Sequence, residues 1–413
     1  MKILESEERS RNTAGQTSGN TTDLTKYRKK EKKKKQSKHL IRLIIILVLV
    51  IAAAVVWMNA ETIFEPLRGI ASQVETKTSY DAGFPVELPA SGEYVMEKMG
   101  ESFALLTDTY LYMYETDGAQ IYAHKHGYSN PEQSVSDKRI LLYDKAGYKF
   151  GVYSRTSLLY QKATDDKIVY ASVGSDNLAA VVTRSQRYSN ILYVYDDGGN
   201  WKYTRKFADE SVMQVAFTGD GEHMIVSTLS SQGGDVIANF YKFSIKNSEG
   251  NVWRYTLRNN SLPCALYADE KNVIAVCDNI VLSIGCDDGI LHGSYPYSGK
   301  LRDVVIHPEH ILLMYEDISA NRSVVLVLDP QAEASTLTTV NSSTVDMTVD
   351  DTGIYILDGT KLHIYDFMLT DDSAMPVENE GYTRFVKIGG SVFLMGYRNI
   401  EKLELSSAST QES

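Results

Sequence analysis

Hydrophobic residues along this 413-residue chain follow two different patterns. One is a continuous apolar run, Leu43–Trp57, and the other, from residue 84 onward, is a series of short apolar segments separated by Gly, Asp and Asn. The run lies within Leu40–Ala60, which as a helix of about 1.5 Å rise per residue would cover the roughly 30 Å hydrocarbon core of a membrane. This pattern predicts a transmembrane helix over residues 39–60.

Charge predicts the orientation of this helix. Residues 1–42 contain 13 Lys and Arg against 5 Asp and Glu, a net charge of +8, whereas the rest of the chain has a net charge of −19. Positively charged flanks stay on the cytoplasmic side. We therefore expect a single-pass signal anchor in the plasma membrane, with the N-terminus in the cytoplasm and the acidic portion outside. A cleaved signal peptide is the alternative, although Met58-Asn59-Ala60 is a poor cleavage site.

The segments beside the helix are too polar or too short to form a core. Residues 1–38 are expected to be a disordered basic cytoplasmic tail. Its stretch Lys26–Lys38 is expected to contact anionic lipid rather than nucleic acid. Residues 61–83 are expected to form an amphipathic juxtamembrane helix and a linker, and residues 408–413 a disordered tail.

The second hydrophobic pattern is a repeat of roughly 35 to 47 residues, the length of a propeller blade. Its clearest copy, Ser211–Leu257, has four apolar segments divided by turn residues. The abundance of Tyr, Val, Ile and Thr favours strands. We therefore predict an all-β fold, an eight-bladed β-propeller over residues 84–407, with seven blades as the alternative. The predicted units are 92–126, 133–164, 167–208, 211–258, 262–297, 301–340, 343–378 and 381–407.

The last of these units contains only three strands, whereas a lone strand, residues 84–88 (FPVEL), precedes the first unit. If the lone strand pairs with the last unit, it completes the eighth blade and joins the two ends of the ring. A closed ring leaves no free sheet edge, so we expect this pairing.

Two motifs resemble those of known propellers. The segment Val212–Val226 resembles the first two strands of WD40-like and TolB-like blades, and Tyr193–Gly199 (YVYDDGG) resembles a turn of quinoprotein-like blades. The whole layout resembles an uncharacterised bacterial family of single-pass membrane-anchored β-propeller proteins. This resemblance implies an architecture and brings no activity with it.

Polar residues on the innermost strands are the candidate site. Aligning these strands on their last apolar residues directs one column of side chains into the central channel, because successive residues of a strand point to opposite faces. Asp303 and Asp346 would lie on adjacent blades with Arg384 one blade further on, a cluster suited to a cation, a sugar or a peptide amine. The alternative is that these carboxylates only bind main-chain amides. The column contains Met96, Tyr170, Gln214, Cys264, Asp303 and Asp346.

The cysteines Cys264, Cys277 and Cys286 lie close together in the sequence. If a hairpin turns at residues 270–271, Cys264 and Cys277 face each other and could form a disulfide in an oxidising compartment. Buried free thiols are the alternative. The gaps between them do not match the CxxC spacing of zinc sites, so we predict no metal.

Other candidate residues give weaker signals. His124 and His126 lie on an outermost strand without a third ligand, which predicts a solvated edge. Trp201 and Trp253 begin the fourth strands of consecutive blades and are expected to pack between blades, with an exposed carbohydrate platform as the alternative. No P-loop, GxSxG or HExxH motif occurs, and we predict no cofactor.

These observations favour a binding function over catalysis. The leading hypothesis is a membrane-tethered extracytoplasmic propeller that acts as a binding or scaffold module for an envelope protein or ligand, with an envelope protein or a glycan as the expected partner, since a rigid ring presents many loops on one surface. The alternative is an envelope glycan-acting hydrolase or lyase that uses Asp303 and Asp346 as its carboxylates. Signalling through the cytoplasmic tail would need a further partner inside the cell.

Overall fold

The computed structural model describes residues 83–88, 94–247, 250–317, 322–340, 344–370, 372–377 and 381–405. Regular structure over these residues consists of 32 β-strands. No helix among them is long and apolar enough to cross a membrane. The predicted segments at 1–38, 39–60 and 408–413, and residues 61–82 of the juxtamembrane segment, lie outside the described residues and stay predictions.

The strands pair into eight four-stranded antiparallel sheets, the blades of a propeller. β1 (Val86–Glu87) comes first in the chain and belongs to the last blade. Blade 1 contains β2 (Val95–Met99), β3 (Ser102–Leu106), β4 (Tyr110–Glu115) and β5 (Gln120–Lys125). Blade 2 contains β6 (Pro131–Val135), β7 (Ile140–Asp144), β8 (Lys149–Tyr153) and β9 (Leu158–Ala163). Blade 3 contains β10 (Ile168–Val173), β11 (Ala179–Thr183), β12 (Asn190–Tyr195) and β13 (Trp201–Phe207).

The remaining five blades follow in chain order. Blade 4 contains β14 (Ser211–Phe217), β15 (His223–Gln232), β16 (Asp235–Ser244) and β17 (Trp253–Leu257). Blade 5 contains β18 (Pro263–Ala268), β19 (Asn272–Cys277), β20 (Ile280–Gly285) and β21 (Leu291–Pro296). Blade 6 contains β22 (Lys300–Ile306), β23 (Ile311–Asp317), β24 (Arg322–Leu328) and β25 (Ala334–Val340). Blade 7 contains β26 (Asp346–Asp350), β27 (Gly353–Leu357), β28 (Lys361–Tyr365) and β29 (Asp372–Pro376). Blade 8 contains β30 (Arg384–Ile388), β31 (Ser391–Met395), β32 (Asn399–Glu404) and β1.

Each predicted repeat unit corresponds to one observed blade, although blade 2 begins at Pro131, before its predicted unit, and blade 8 also includes β1. The all-β, eight-bladed propeller is therefore confirmed, and the seven-bladed alternative is wrong. The first strands of neighbouring blades contact one another around the ring, and β30 of the last blade contacts β2 of the first. The first strand of each blade thus lies at the channel and the fourth lies at the rim.

The ring is closed by β1, as the FPVEL segment predicted. β1 runs antiparallel to β32, with Val86 opposite Ile400, and the Leu88 amide continues the pairing by donating to the Arg398 carbonyl oxygen at 2.8 Å. Beside the strand, the ring of Phe84 lies 5.4 Å from that of Phe393. The N-terminal strand and the C-terminal strands therefore share one sheet and one hydrophobic cluster.

The core consists of eight hydrophobic clusters, one at each junction between neighbouring blades. Successive residues of a middle strand serve different junctions. Leu105 packs toward blade 8, whereas Ala104 and Leu106 pack toward blade 2. Because both faces of a blade are covered, the second and third strands are mostly apolar on both faces instead of alternating.

Asp side chains hold many of the short turns. The carboxylate of each such residue accepts hydrogen bonds from two main-chain N–H groups of its own turn, as in an Asx turn. The residues are Asp196, Asp220, Asp269, Asp329, Asp358 and Asp366. The Asp residues between the apolar segments of the sequence thus contribute turn stability.

Val86→Asp should weaken ring closure. The half-buried Val86 side chain belongs to the cluster between blades 8 and 1, and a carboxylate there should lower the free energy of unfolding by roughly 1–3 kcal/mol. Thermal unfolding of the full-length protein measures the effect, with Glu87→Gln at the neighbouring exposed position as the control. Equal melting temperatures for the two variants would show that β1 does not stabilise the ring.

Candidate functional site

The first strands of the blades run side by side in the same direction along the channel. They are β2, β6, β10, β14, β18, β22, β26 and β30. We call the face on which they begin the upper face; it also carries the turns between second and third strands. The lower face carries the turns between first and second strands and between third and fourth strands, including those capped by Asp196, Asp220, Asp269, Asp329 and Asp366. Side chains at the starts of the first strands therefore converge around one opening.

Asp346 and Arg384 begin the first strands of blades 7 and 8. The nearest guanidinium nitrogen of Arg384 lies 3.9 Å from Asp346 Oδ1, and the Asp346 side chain is only 7 % exposed. Its two oxygens accept main-chain N–H groups, Oδ1 from Met347 at 3.0 Å and Oδ2 from Phe385 at 2.8 Å. Because Phe385 belongs to the next blade, Asp346 also links blades 7 and 8.

Asp303, on β22 of blade 6, belongs to the same cluster. Its Oδ1 accepts the Val304 main-chain N–H at 2.9 Å. Burial raises the pKa of Asp303, and the positive charge of Arg384 only partly opposes this. Burial also raises the pKa of Asp346 to about 7, against the effect of Arg384 and with a contribution from the negative charge of Asp303. The structure thus brings together the three charged residues predicted from the sequence.

Glu97 also belongs to this cluster, although aligning the first strands of the blades on their last apolar residues did not place it at the channel. Partial desolvation inside the ring raises the pKa of Glu97, although its side chain is exposed to the channel. The charge of Arg384 lowers this pKa and that of Asp303 raises it, so Glu97 lies within electrostatic reach of both. Three carboxyl groups therefore share the neighbourhood of the Arg384 guanidinium.

The predicted channel position of Met96 is wrong, because Met96 is buried between blades 8 and 1. The alignment used the last apolar residue of each first strand as its reference. In blade 1 that residue, Met99, packs toward the following blade, whereas Phe217 of blade 4 packs toward the preceding blade. The alternation in blade 1 is therefore shifted, and Glu97 takes the place assigned to Met96.

Tyr170 and Gln214 lie at the channel, in agreement with their predicted placement. They line a cavity of about 470 Å³ between the first strands of blades 1 to 4, which Glu97 also lines. Gln214 Nε2 donates to the Cys264 carbonyl oxygen on blade 5 at 3.1 Å. Since Glu97 belongs to both, the cavity and the charged cluster are continuous. A ligand-binding role for these residues stays a prediction.

Gln133 also lines this cavity, and, like Glu97, it was not among the channel residues predicted by aligning the first strands. Both polar atoms of its carboxamide are buried and have no hydrogen-bond partner among the described residues. An unsatisfied buried polar group costs about 1–3 kcal/mol. No hydrophobic or charge pattern in the sequence marks Gln133; only its position on a first strand does.

The expected facing of Cys264 and Cys277 is wrong. A β-bulge in β18 places Pro263 opposite Cys277, and Cys264 is displaced from the register. The three cysteines are free thiols, with Cys264 exposed and the other two buried. The Cys264 thiol donates to the Leu262 carbonyl oxygen at 3.3 Å.

Two of the minor predictions need correction. His126 is buried instead of solvated: it accepts the Tyr128 main-chain N–H at Nδ1, 3.0 Å away, and its Nε2 lies 3.1 Å from the Thr107 carbonyl oxygen. Trp253 packs between blades 4 and 5 as predicted. Trp201 does not pack between blades, since it is 63 % exposed.

The profile of a protein family described as a family of unknown function, DUF5711, matches residues 73–405. No curated protein matches the sequence.

Solved structures of several propellers are similar to this fold. BamB from Moraxella catarrhalis has a TM-score of 0.52 and 10 % identity, over 79 % of this chain and 97 % of BamB. The C-terminal WD40 domain of Sif2 has a TM-score of 0.55 and 9 % identity, over 79 % of this chain and 99 % of the domain. Saccharomyces cerevisiae Sqt1 has a TM-score of 0.57 and 10 % identity, over 79 % of this chain and all of Sqt1, 100 %. At such identities the likeness shows the fold alone.

The raised pKa of Asp346 predicts a pH-dependent stability. Between the usual carboxyl pKa of 3.8 and about 7, the folded protein holds a proton on Asp346 that the unfolded chain has lost. The contribution of this group to stability therefore falls as pH rises through that window, by at most about 1.4 kcal/mol per pH unit. Asp346→Asn does not titrate, so its stability relative to wild type should improve from pH 4 to pH 7.

Urea unfolding of the full-length proteins at several pH values measures this difference, with Asp209→Asn at an exposed position as the control. The Asn side chain has a single acceptor oxygen, so the variant should lose one main-chain hydrogen bond at every pH. A constant difference across the pH range would mean that Asp346 is ionised throughout.

Proposed function

Because the chain belongs to the DUF5711 family of unknown function, we propose a function from its own site. The protein is a binding module: a membrane-tethered β-propeller that holds a protein partner at its upper face, outside the plasma membrane. The observation that carries this proposal is the convergence of Glu97, Asp303, Asp346 and Arg384 from four blades at the channel opening. Three carboxyl groups surround one guanidinium, and a cationic group of a partner would favour their ionised forms and pair with them.

The closed ring supports this function mechanically. Eight interblade clusters fix the first strands, so the groups at the opening keep their positions when a partner arrives. A preorganised surface loses little conformational freedom on binding. The arrangement therefore suits recognition by a rigid surface with loops around it.

The proposed location outside the membrane rests on the charge of the sequence. Residues 1–42 have a net charge of +8, and positively charged flanks of a helix stay on the cytoplasmic side. This charge favours a propeller outside the membrane.

Catalysis on envelope glycans receives less support from the same residues. A general acid or nucleophile needs a carboxyl oxygen free to contact the substrate. Both oxygens of Asp346 accept main-chain N–H groups, and the residue is 5 % exposed. Asp346 therefore fits a structural and electrostatic role better than a catalytic one.

The exposed thiol of Cys264 provides a test of the side of the membrane on which the propeller lies. A membrane-impermeant maleimide applied to protoplasts should label the full-length protein once, because Cys264 is exposed and Cys277 and Cys286 are buried. Partial burial raises the pKa of the Cys264 thiol, so the reaction near neutral pH needs a longer labelling time than that of a free cysteine. Cys264→Ser should abolish the label. Labelling only after the protoplasts are lysed would place the propeller inside the cell and overturn this part of the proposal.

Photo-crosslinking in cells tests the binding face. A photoreactive amino acid at Tyr397, in an upper-face turn and 64 % exposed, should yield a defined protein adduct. The matched control position is Met368, in a lower-face turn and 54 % exposed, where no such adduct is expected. Asp303→Asn keeps an acceptor for the Val304 amide but removes the charge, so it should reduce the Tyr397 adduct several-fold. Equal adducts from both faces, or none, would contradict the proposal.

A further inference from the structure

Most polar groups in the wall of the cavity between blades 1 and 4 are already paired. Glu132 accepts hydrogen bonds from the Tyr143 hydroxyl and from Lys145 Nζ, each at 2.6 Å. Gln214 is bound to the carbonyl oxygen of Cys264. The groups left without a hydrogen bond among the described residues include the carboxyl group of Glu97 and the carboxamide of Gln133.

Glu97 and Gln133 point into the same space. Glu97 lies opposite Ala104 in blade 1, and Gln133 lies opposite Leu142 in blade 2. Ala104 and Leu142 both belong to the hydrophobic cluster between blades 1 and 2. Residues that are directly opposite in an antiparallel pair share a face of the sheet, so the two open side chains face each other across this junction at its channel end.

The Gln133 carboxamide can bind a ligand without losing existing bonds. Gln133 lines the cavity, and its two polar atoms are buried and have no hydrogen-bond partner in the part of the chain that the structure describes. A change of rotamer that brings them into the cavity therefore breaks no hydrogen bond. A carboxamide has a donor and an acceptor side by side, which matches the C=O and N–H of a peptide group.

Glu97 favours a cation beside that peptide group. Asp303 adds negative charge around it, and the single guanidinium of Arg384 is shared by three carboxyl groups. Lys98 also lines the cavity, but in the strand register it lies opposite Phe103. Because Phe103 packs toward blade 8, the Lys98 side chain starts on the other face of blade 1 from Glu97. An ammonium or guanidinium group from outside would supply the missing positive charge.

We propose that this cavity binds a lysine- or arginine-containing peptide segment of the partner, with Gln133 bound to its main chain and Glu97 to its cationic side chain. The inference rests on the proposed binding function and names the chemistry of the partner. A neutral glycan could satisfy Gln133 through an acetamido group, but it brings no charge for Glu97, and it is therefore the competing outcome of the test.

The test uses full-length protein in detergent and three probes. They are the blocked peptide acetyl-Gly-Gly-Lys-Gly-Gly-amide, the same peptide with Gln in place of Lys, and a tetramer of N-acetylglucosamine. Titration followed by NMR or calorimetry should show the Lys peptide binding on the order of tenfold more tightly than the Gln peptide, and more weakly at high salt. Tighter binding of the sugar than of either peptide would overturn the proposal, and so would no binding of any probe.

Two variants separate the roles of the residues. Glu97→Gln should abolish the preference for Lys over Gln, whereas Gln133→Leu should weaken both peptides by a similar factor of roughly 5 to 30 and keep the preference. Glu101→Gln, at an exposed position in the turn after β2, is the matched control and should change neither. Melting temperatures confirm that each variant is folded, and unchanged peptide binding in both cavity variants would refute the assignment.

The Tyr397 crosslink distinguishes this inference from the function on which it rests. If the adduct forms in wild type and persists undiminished in Glu97→Gln and Gln133→Leu, the protein binds a partner elsewhere on the upper face and the cavity assignment is wrong. If no adduct forms even in wild type, the binding function itself fails.

Discussion

The structure depends on the closure of the ring by β1. A blade buries both of its faces against neighbours, so an open array would leave an apolar face uncovered on blade 1 and another on blade 8. β1 prevents this by pairing with β32 and by placing Phe84 and Val86 in the cluster at that junction. Each of the other junctions also joins two neighbouring blades through a hydrophobic cluster, and the closed ring fixes the positions of the channel groups. The site is therefore a consequence of closure as much as of its own residues.

The blades could be predicted from the sequence because two independent signals coincide in them. Apolar segments of strand length recur with the blade period, and Asp, Gly and Asn fall at the turns, where Asp carboxylates cap main-chain amides. The site was harder to predict because it depends on the direction of single side chains. Met99 and Phe217 look alike as ends of first strands but pack on opposite sides, and bulges such as that at Cys264 leave no mark on the hydrophobic pattern. Met96 was therefore assigned to the channel in place of Glu97.

The polar residues at the channel divide into two roles. Asp346 uses both oxygens on main-chain amides, one of them in the next blade, so the structural alternative describes its contacts well. Burial and the negative charge of Asp303 raise its pKa to about 7, so at neutral pH the group carries only part of a negative charge at the opening. Glu97 and Gln133 line the cavity, and among the described residues neither has a comparable hydrogen-bond partner. The hydrogen-bonded residues thus contribute to the electrostatic potential of the site, and Glu97 and Gln133 are available to a ligand.

The direction of the first strands explains how such a site can change without harm to the fold. The strand ends toward the lower face are buried in the interblade clusters, as Met99, Phe217 and Ile388 show. Some starts toward the upper face are accessible, as at Cys264 and Arg384, whereas Ile168 and Asp346 are buried starts. A substitution at an accessible start alters the opening and few core contacts, whereas the same substitution at a buried position leaves a cavity or an unpaired charge in the core. Binding specificity can therefore change at the accessible starts while the buried positions of the same strands keep the fold stable.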